Sequence, residues 1–133
     1  MKSEYIDVKG KWGIVVCYDL MRRDVREMRA LMEAVGLGDD EIDGYLRMLL
    51  YHKNKGLCIS NMELAMSLVF IGEATSQDQW FDTLIHELKH VVENISEFYH
   101  VDPTSEESAY LQGEIGRQMF PLIIRKFCRE KDG

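Results

Sequence analysis

Positive charge is scarce in this chain: 16 Lys and Arg stand against 23 Asp and Glu, for a formal net charge of -7. The bases at Lys9, Lys11, Arg22, Arg23, Lys53 and Lys55 are scattered among acids, so no basic face forms and nucleic acid is excluded as an expected partner. Cysteine is equally sparse. Cys17, Cys58 and Cys128 are odd in number, far apart and without a Cys-x-x-Cys pair, which excludes a disulfide framework and reads as a reduced, cytoplasmic protein. No apolar run approaches the ~18 residues that a membrane helix needs, and Met1-Lys2-Ser3-Glu4-Tyr5 is too polar for a signal peptide. No membrane partner is expected. The chain also lacks internal repeats, low-complexity tracts and any run of Pro, Gly or Ser resembling a linker.

What is present is ordinary globular composition, 46% hydrophobic and 29% charged over 133 residues, which reads as a single domain spanning residues 1–133. Trp12 to Tyr18 is a short β-branched and aromatic run suited to a buried strand. From Asp19 to Val35, apolar residues recur at three and four residue spacing, so a helix is expected with a glycine stop at Gly36 or Gly38. Asp39 or Asp40 can cap a second helix, ending near His52 and fraying over residues 53–56. Leu57–Ile59 and Ala65–Ile71 are strand candidates that can pair with each other. Ser76 and Gln79 form a capping-box pattern ahead of Trp80, Leu84, Leu88, Val91, Val92 and Ile95, the signature of a long amphipathic helix. After Asp102-Pro103, Thr104 or Ser105 can cap a further helix toward Pro121, where a kink or a new helix is expected. The class is α+β, a small mixed sheet packed against the 76–95 helix and the helix that follows it.

His86-Glu87-Leu88-Lys89-His90 lies inside the long helix and matches the zinc motif His-Glu-x-x-His. Histidines four apart on a helix have Cβ atoms about 5–6 Å from each other, so both imidazoles can reach one zinc ion. Glu87 is turned about 100° from His86, which places it to act as a general base instead of a ligand. A shuffled chain of this composition yields the motif with odds of roughly 1%. Its position on a polar stripe with Glu93 and Glu97, apart from the apolar face, lowers those odds further.

Catalytic zinc ordinarily takes a third protein ligand. Glu93 lies two turns from His86, about 10 Å along the axis, and reads as a solvated or supporting acid. His100 does not fit the spacing of an extended histidine motif. Glu106 and Glu107 both begin the next helix. Glu106 shares a face with Ala109, Tyr110 and Gly113, whose small residues permit close approach, and is preferred; Glu107 can instead pair with Thr104 in a capping box. Tyr99, His100 and Tyr110 could each donate to an oxyanion, with Tyr110 the leading candidate for a catalytic role.

The run Thr83 to Val92, followed by Glu106-Glu107-Ser108-Ala109-Tyr110-Leu111, resembles the zincin metallopeptidases. The resemblance is to the compact gluzincin-like type, among the small peptidases encoded by phages and mobile elements that are distantly related to the ImmA/IrrE type. It spans residues 76–120, and the Glu-x-x-Ala spacing at Glu106 and Ala109 is similar to the second-helix motif of that group. The resemblance implies a zinc-dependent peptidase acting on a peptide or protein substrate, with His86, His90 and Glu106 as ligands and the strand at 65–71 bordering the cleft. The sequence departs from the group's pattern at Tyr110 and at Met119-Phe120-Pro121. The competing expectation is a non-catalytic interaction module in which zinc only staples two helices, although such a site does not require Glu87.

Overall fold

Apolar residues on both faces of two strands dictate the layering. The computed structural model describes residues 1–128, with strands β1 (Lys2–Val8) and β2 (Trp12–Tyr18), a 3-10 turn at Arg22–Asp24, and helices α1 (Val25–Ala34) and α2 (Asp39–Tyr51). Strands β3 (Gly56–Asn61) and β4 (Met66–Ile71) and helices α3 (Gln77–Phe98) and α4 (Glu106–Cys128) complete it. The sheet order is β1-β2-β4-β3. β2 and β4 pair in parallel at the centre, while β1 and β3 pair antiparallel at the two edges.

Ile14, Val16 and Tyr18 on β2, with Val69 and Ile71 on β4, pack against α3 and α4, whereas Cys17, Leu68 and Phe70 face α1 and α2. The two central strands are therefore continuous apolar runs because helices cover both sides. β1 is different, and its pattern was not read as a strand. Ile6 and Val8 are buried beneath α4 while Tyr5 and Asp7 face solvent, so half of its residues carry the polarity of an exposed edge.

One helix starts later than expected, and another runs on through a proline. Asp19 has φ of 54°, a left-handed conformation that interrupts helix formation, and α1 starts only at Val25 after the 3-10 turn. Pro121 neither ends nor restarts a helix: α4 runs unbroken from Glu106 to Cys128 with Pro121 inside it. The proline ring is exposed and removes one backbone donor, while Ile115, Met119 and Leu122 around it are anchored in the core. No described helix is long and apolar enough to cross a membrane.

Candidate metal and catalytic site

The motif helix is held from both ends. Ser76 caps α3, its hydroxyl accepting from the Gln79 amide at 3.3 Å. Just before the cap, the Thr75 amide donates to the Asn54 side-chain oxygen at 2.9 Å, and the Asn54 amide donates to the Glu73 carbonyl at 2.8 Å. Further along, the Asn94 side chain donates to the Ser60 hydroxyl at 2.8 Å, tying the helix to the edge strand β3. Between these anchors Trp80, Leu84, Leu88, Val91, Val92 and Ile95 are buried in the core shared with the sheet.

On this fixed helix the Nε2 atoms of His86 and His90 stand 3.2 Å apart. Two nitrogens bound to one tetrahedral ion at about 2.0–2.1 Å are separated by about 3.3 Å, so the pair already has the spacing of two ligands. Both histidines are exposed, and Nδ1 of His90 lies 4.0 Å from a Glu93 carboxylate oxygen. Glu93 thus stands on the side of the nitrogen that faces away from the other histidine, at a distance beyond a hydrogen bond.

Glu87 is only 6% exposed. Its side chain packs against the backbone of Gly56: a Cβ built on that glycine would lie 2.9 Å from Glu87 Cγ and 2.7 Å from Thr83 Cγ2. Burial raises the Glu87 pKa above its ordinary value, and the neighbouring His86 and His90 only partly oppose that rise. Gly56, Leu57, Cys58, Glu87, His90 and Asn94 line one cavity of about 350 Å³ between α3 and the edge of the sheet. The Cys58 thiol in it is pushed up to about 12, first by burial and then by Glu87, so it stays protonated near neutral pH. Gly56, Cys58 and Asn94 were not among the residues singled out from the sequence. Only the turn-like composition before Leu57 hinted at Gly56, and it was read as a frayed helix end.

The family resemblance implied that the 65–71 strand borders the cleft with a free edge, but β4 is paired on both sides, to β2 and to β3. The free edge beside the histidines belongs to β3. The third-ligand expectation also fails geometrically. α4 returns antiparallel to α3, with the Phe127 ring against Trp80 and the Ser108 hydroxyl 3.4 Å from that of Ser96. Ser96 is six residues beyond His90 and Glu106 lies beyond Ser108, so Glu106 is offset from His90 by about 12 Å along the axis. Ser96 is also turned about 120° from His90 around the helix, so α4 lies on the flank away from the histidine pair. Glu106 is the first residue of α4, capped by Ser105, whose hydroxyl accepts from the Ser108 amide at 3.2 Å. Glu107 forms no capping box with Thr104, which bonds Asp102 instead. Among the described residues, no group of three His, Cys, Asp or Glu gathers at the histidine pair.

The oxyanion candidates lie elsewhere as well. Tyr110 is 73% exposed on α4. The Tyr99 hydroxyl donates to the Lys11 carbonyl at 3.3 Å, and His100, with φ of 56°, closes the C-terminal turn of α3. Tyr99 is nine residues from His90, about 13 Å along the axis. Comparison with family models, with curated proteins and with solved structures gives no match.

Proposed function

We propose that this chain is a zinc-dependent peptidase in which His86 and His90 hold the ion and Glu87 is the general base. The observation that carries the reading is the 3.2 Å separation of the two Nε2 atoms beside a buried carboxylate. The same distance suits a ring N–H···N hydrogen bond, but such a bond gives no role to the buried Glu87 carboxylate beside it, whereas a shared ion uses all three residues.

Zinc held there by His86 and His90 would supply a Lewis acid toward a peptide carbonyl and would make the attacking water easier to deprotonate. His86 and His90 must be neutral at Nε2 to act as ligands. Glu87 accepts a proton from the attacking water and returns it to the leaving amine. Its burial against Gly56 fixes the carboxylate and lifts its pKa toward the working range of a base that must also release a proton. The substrate reading comes from the open edge of β3 beside this cavity, where an extended peptide can add as a further strand through its backbone. The side chains at alternate positions would then be read by the cavity and by the outer end of α3.

The test combines metal analysis with a peptide library. Zinc-supplemented expression should give about one zinc per chain, lost on chelation together with thermal stability. Glu87→Gln should retain the metal and the fold while lowering cleavage by about 10²–10⁴-fold, because an amide cannot carry the proton. Protein free of metal after zinc-supplemented expression defeats the reading. Equal cleavage by wild type and Glu87→Gln defeats the assigned base.

A further inference from the structure

A line of polar side chains runs through the apolar layer between the sheet and α3 and ends at the cavity beside His90. At its inner end the buried Trp12 ring nitrogen donates to the Ser67 hydroxyl at 3.0 Å, and Ser67, itself fully buried, lies 2.8 Å from the Ser60 hydroxyl. At its outer end the Asn94 side-chain nitrogen donates to Ser60 at 2.8 Å and approaches the Cys58 sulfur at 3.9 Å. Ser60 in turn donates to the Cys58 sulfur, so Ser67 gives its proton to Ser60. Polar groups buried in this way cost stability unless each is paired. The pairing fixes the Asn94 amide with its nitrogen on β3 and its oxygen turned off the strand. That oxygen accepts no hydrogen bond among the described residues, and Asn94 lines the cavity with Glu87 and His90.

The register of β3 decides what meets that oxygen. The Gly72 amide donates to the Lys55 carbonyl and Gly56 stands opposite Ile71, so alternate residues from Lys55 onward turn their backbone groups toward β4. Gly56, Cys58 and Ser60 therefore turn theirs outward. These three also face α3, with Gly56 lying on Thr83 and Glu87 and Ser60 on Asn94. A peptide bonded to the outward groups meets them residue for residue, and cross-strand partners share a face. Its side chain opposite Ser60 thus rises on the α3 side, beside Asn94. There it finds acceptors: the Asn94 oxygen and, one turn further along α3, the exposed Glu97 carboxylate. Glu93 is exposed on the same flank, where Lys89 at 4.0 Å offsets part of its charge.

We propose that Asn94 is a specificity-determining residue which, with Glu97, selects extended peptides carrying lysine or arginine opposite Ser60. The inference rests on the reading that substrate adds to β3, and it does not depend on the metal. Lysine and arginine offer only donors, which match a pair of acceptors, and a charged donor makes the stronger bond. An apolar side chain there covers the Asn94 oxygen without pairing it. His90 precedes Asn94 by one turn, about 6 Å along the axis, and a strand advances ~3.3 Å per residue. The selected side chain therefore stands about two residues from the bond at the histidine pair.

Nuclear magnetic resonance titration of the isotope-labelled, zinc-loaded Glu87→Gln chain, which does not consume peptide, reads the preference directly. The probes are capped heptapeptides of alanine and valine with lysine, norleucine or glutamate at the centre. Shifts at the Gly56, Cys58 and Ser60 amides and at the Asn94 side chain should mark the edge, with lysine bound about ten-fold more tightly than norleucine and glutamate weakest. Asn94→Leu should bring lysine and norleucine within about two-fold of each other. Asn94→Asp, which keeps an acceptor beside Ser60 and adds charge, should widen the gap, and it decides the matter if the leucine variant does not fold. Equal binding of lysine and norleucine, a preference that survives Asn94→Leu, a gap unchanged by Asn94→Asp, or no shift along β3 with any peptide each overturn the proposal. A chain that takes up no zinc yet shows the preference defeats the metal reading and keeps this one.

Discussion

At the scale of the residue, the candidate site depends on a glycine more than on any polar neighbour. Gly56 lets the start of β3 lie directly on Thr83 and Glu87, so the carboxylate is walled by backbone and excluded from bulk water. Any side chain at 56 must displace either the helix or the Glu87 side chain, since a Cβ there would stand 2.7 Å and 2.9 Å from carbon atoms of the two residues. Gly56→Ala is therefore expected to cost about 1–3 kcal/mol of stability, the usual penalty for overpacking. It should also reduce peptide cleavage strongly while leaving zinc affinity within a few-fold, because the nearest atoms to the added Cβ belong to Thr83 and Glu87 and to neither histidine. Chemical unfolding and metal competition on the same variant separate the two effects. A variant as stable and as active as wild type would show that β3 does not press on the base. The histidine pair was legible in the sequence because helix geometry alone sets the distance between residues four apart. Gly56 was not, because its importance arises only when a strand thirty residues earlier is laid across the helix.

At the scale of the element, the same contrast explains which parts of the fold could be read. β2 and β4 show themselves as continuous apolar runs because both of their faces are covered, and α3 shows a cap and a strict apolar stripe. β1 hides because only Ile6 and Val8 face the core. α4 was located correctly at its start, but its placement beside α3 depends on the meeting of Ser96 with Ser108 and of Trp80 with Phe127, contacts between residues without any shared local pattern. That placement decides the role of Glu106. Because α4 meets α3 on the flank away from the histidines, Glu106→Ala should leave zinc affinity within about two-fold, whereas His90→Ala should lower it by a hundred-fold or more. Glu93→Gln should cost no more than a few-fold, since its carboxylate lies 4.0 Å from the His90 ring, too far for a hydrogen bond. A competition titration ranks the three. A large loss at Glu106 would mean that metal binding draws α4 around α3, against the packing described. Ser105→Ala offers an independent check on the start of α4, with an expected cost of about 1 kcal/mol from the lost cap.

At the scale of the whole molecule, acid should act on the protein in two separate steps. The first belongs to the site. Both histidines must be neutral to hold zinc, so the metal-loaded protein should release it in mild acid, later where binding is tight. The second belongs to the ion pairs that close the molecule. Burial works against ionisation of Asp19, but hydrogen bonds from Lys126 and Lys2 outweigh it and hold the carboxyl below its ordinary value of 3.8. Asp24 is held below the same value by a hydrogen bond from the N-terminal amine, 2.9 Å away, and by the Met21 backbone amide. A carboxyl depressed in the folded state stabilises it above its unfolded pKa, and that contribution disappears as pH falls through the folded value. The loss therefore lies below about pH 4 and is far from the histidine step. Glu87 acts in the opposite sense, since its raised pKa favours the neutral form at low pH, and it cannot produce the second step. Thermal unfolding followed against pH should show both steps for zinc-loaded protein and only the lower one after chelation. Asp19→Asn should leave the upper step in place and diminish the lower one, because Asp19 joins the end of β2 to Lys126 on α4 and to Lys2 on β1. If chelated and loaded protein lose stability over one and the same pH range, the histidine pair holds no metal that contributes to the fold.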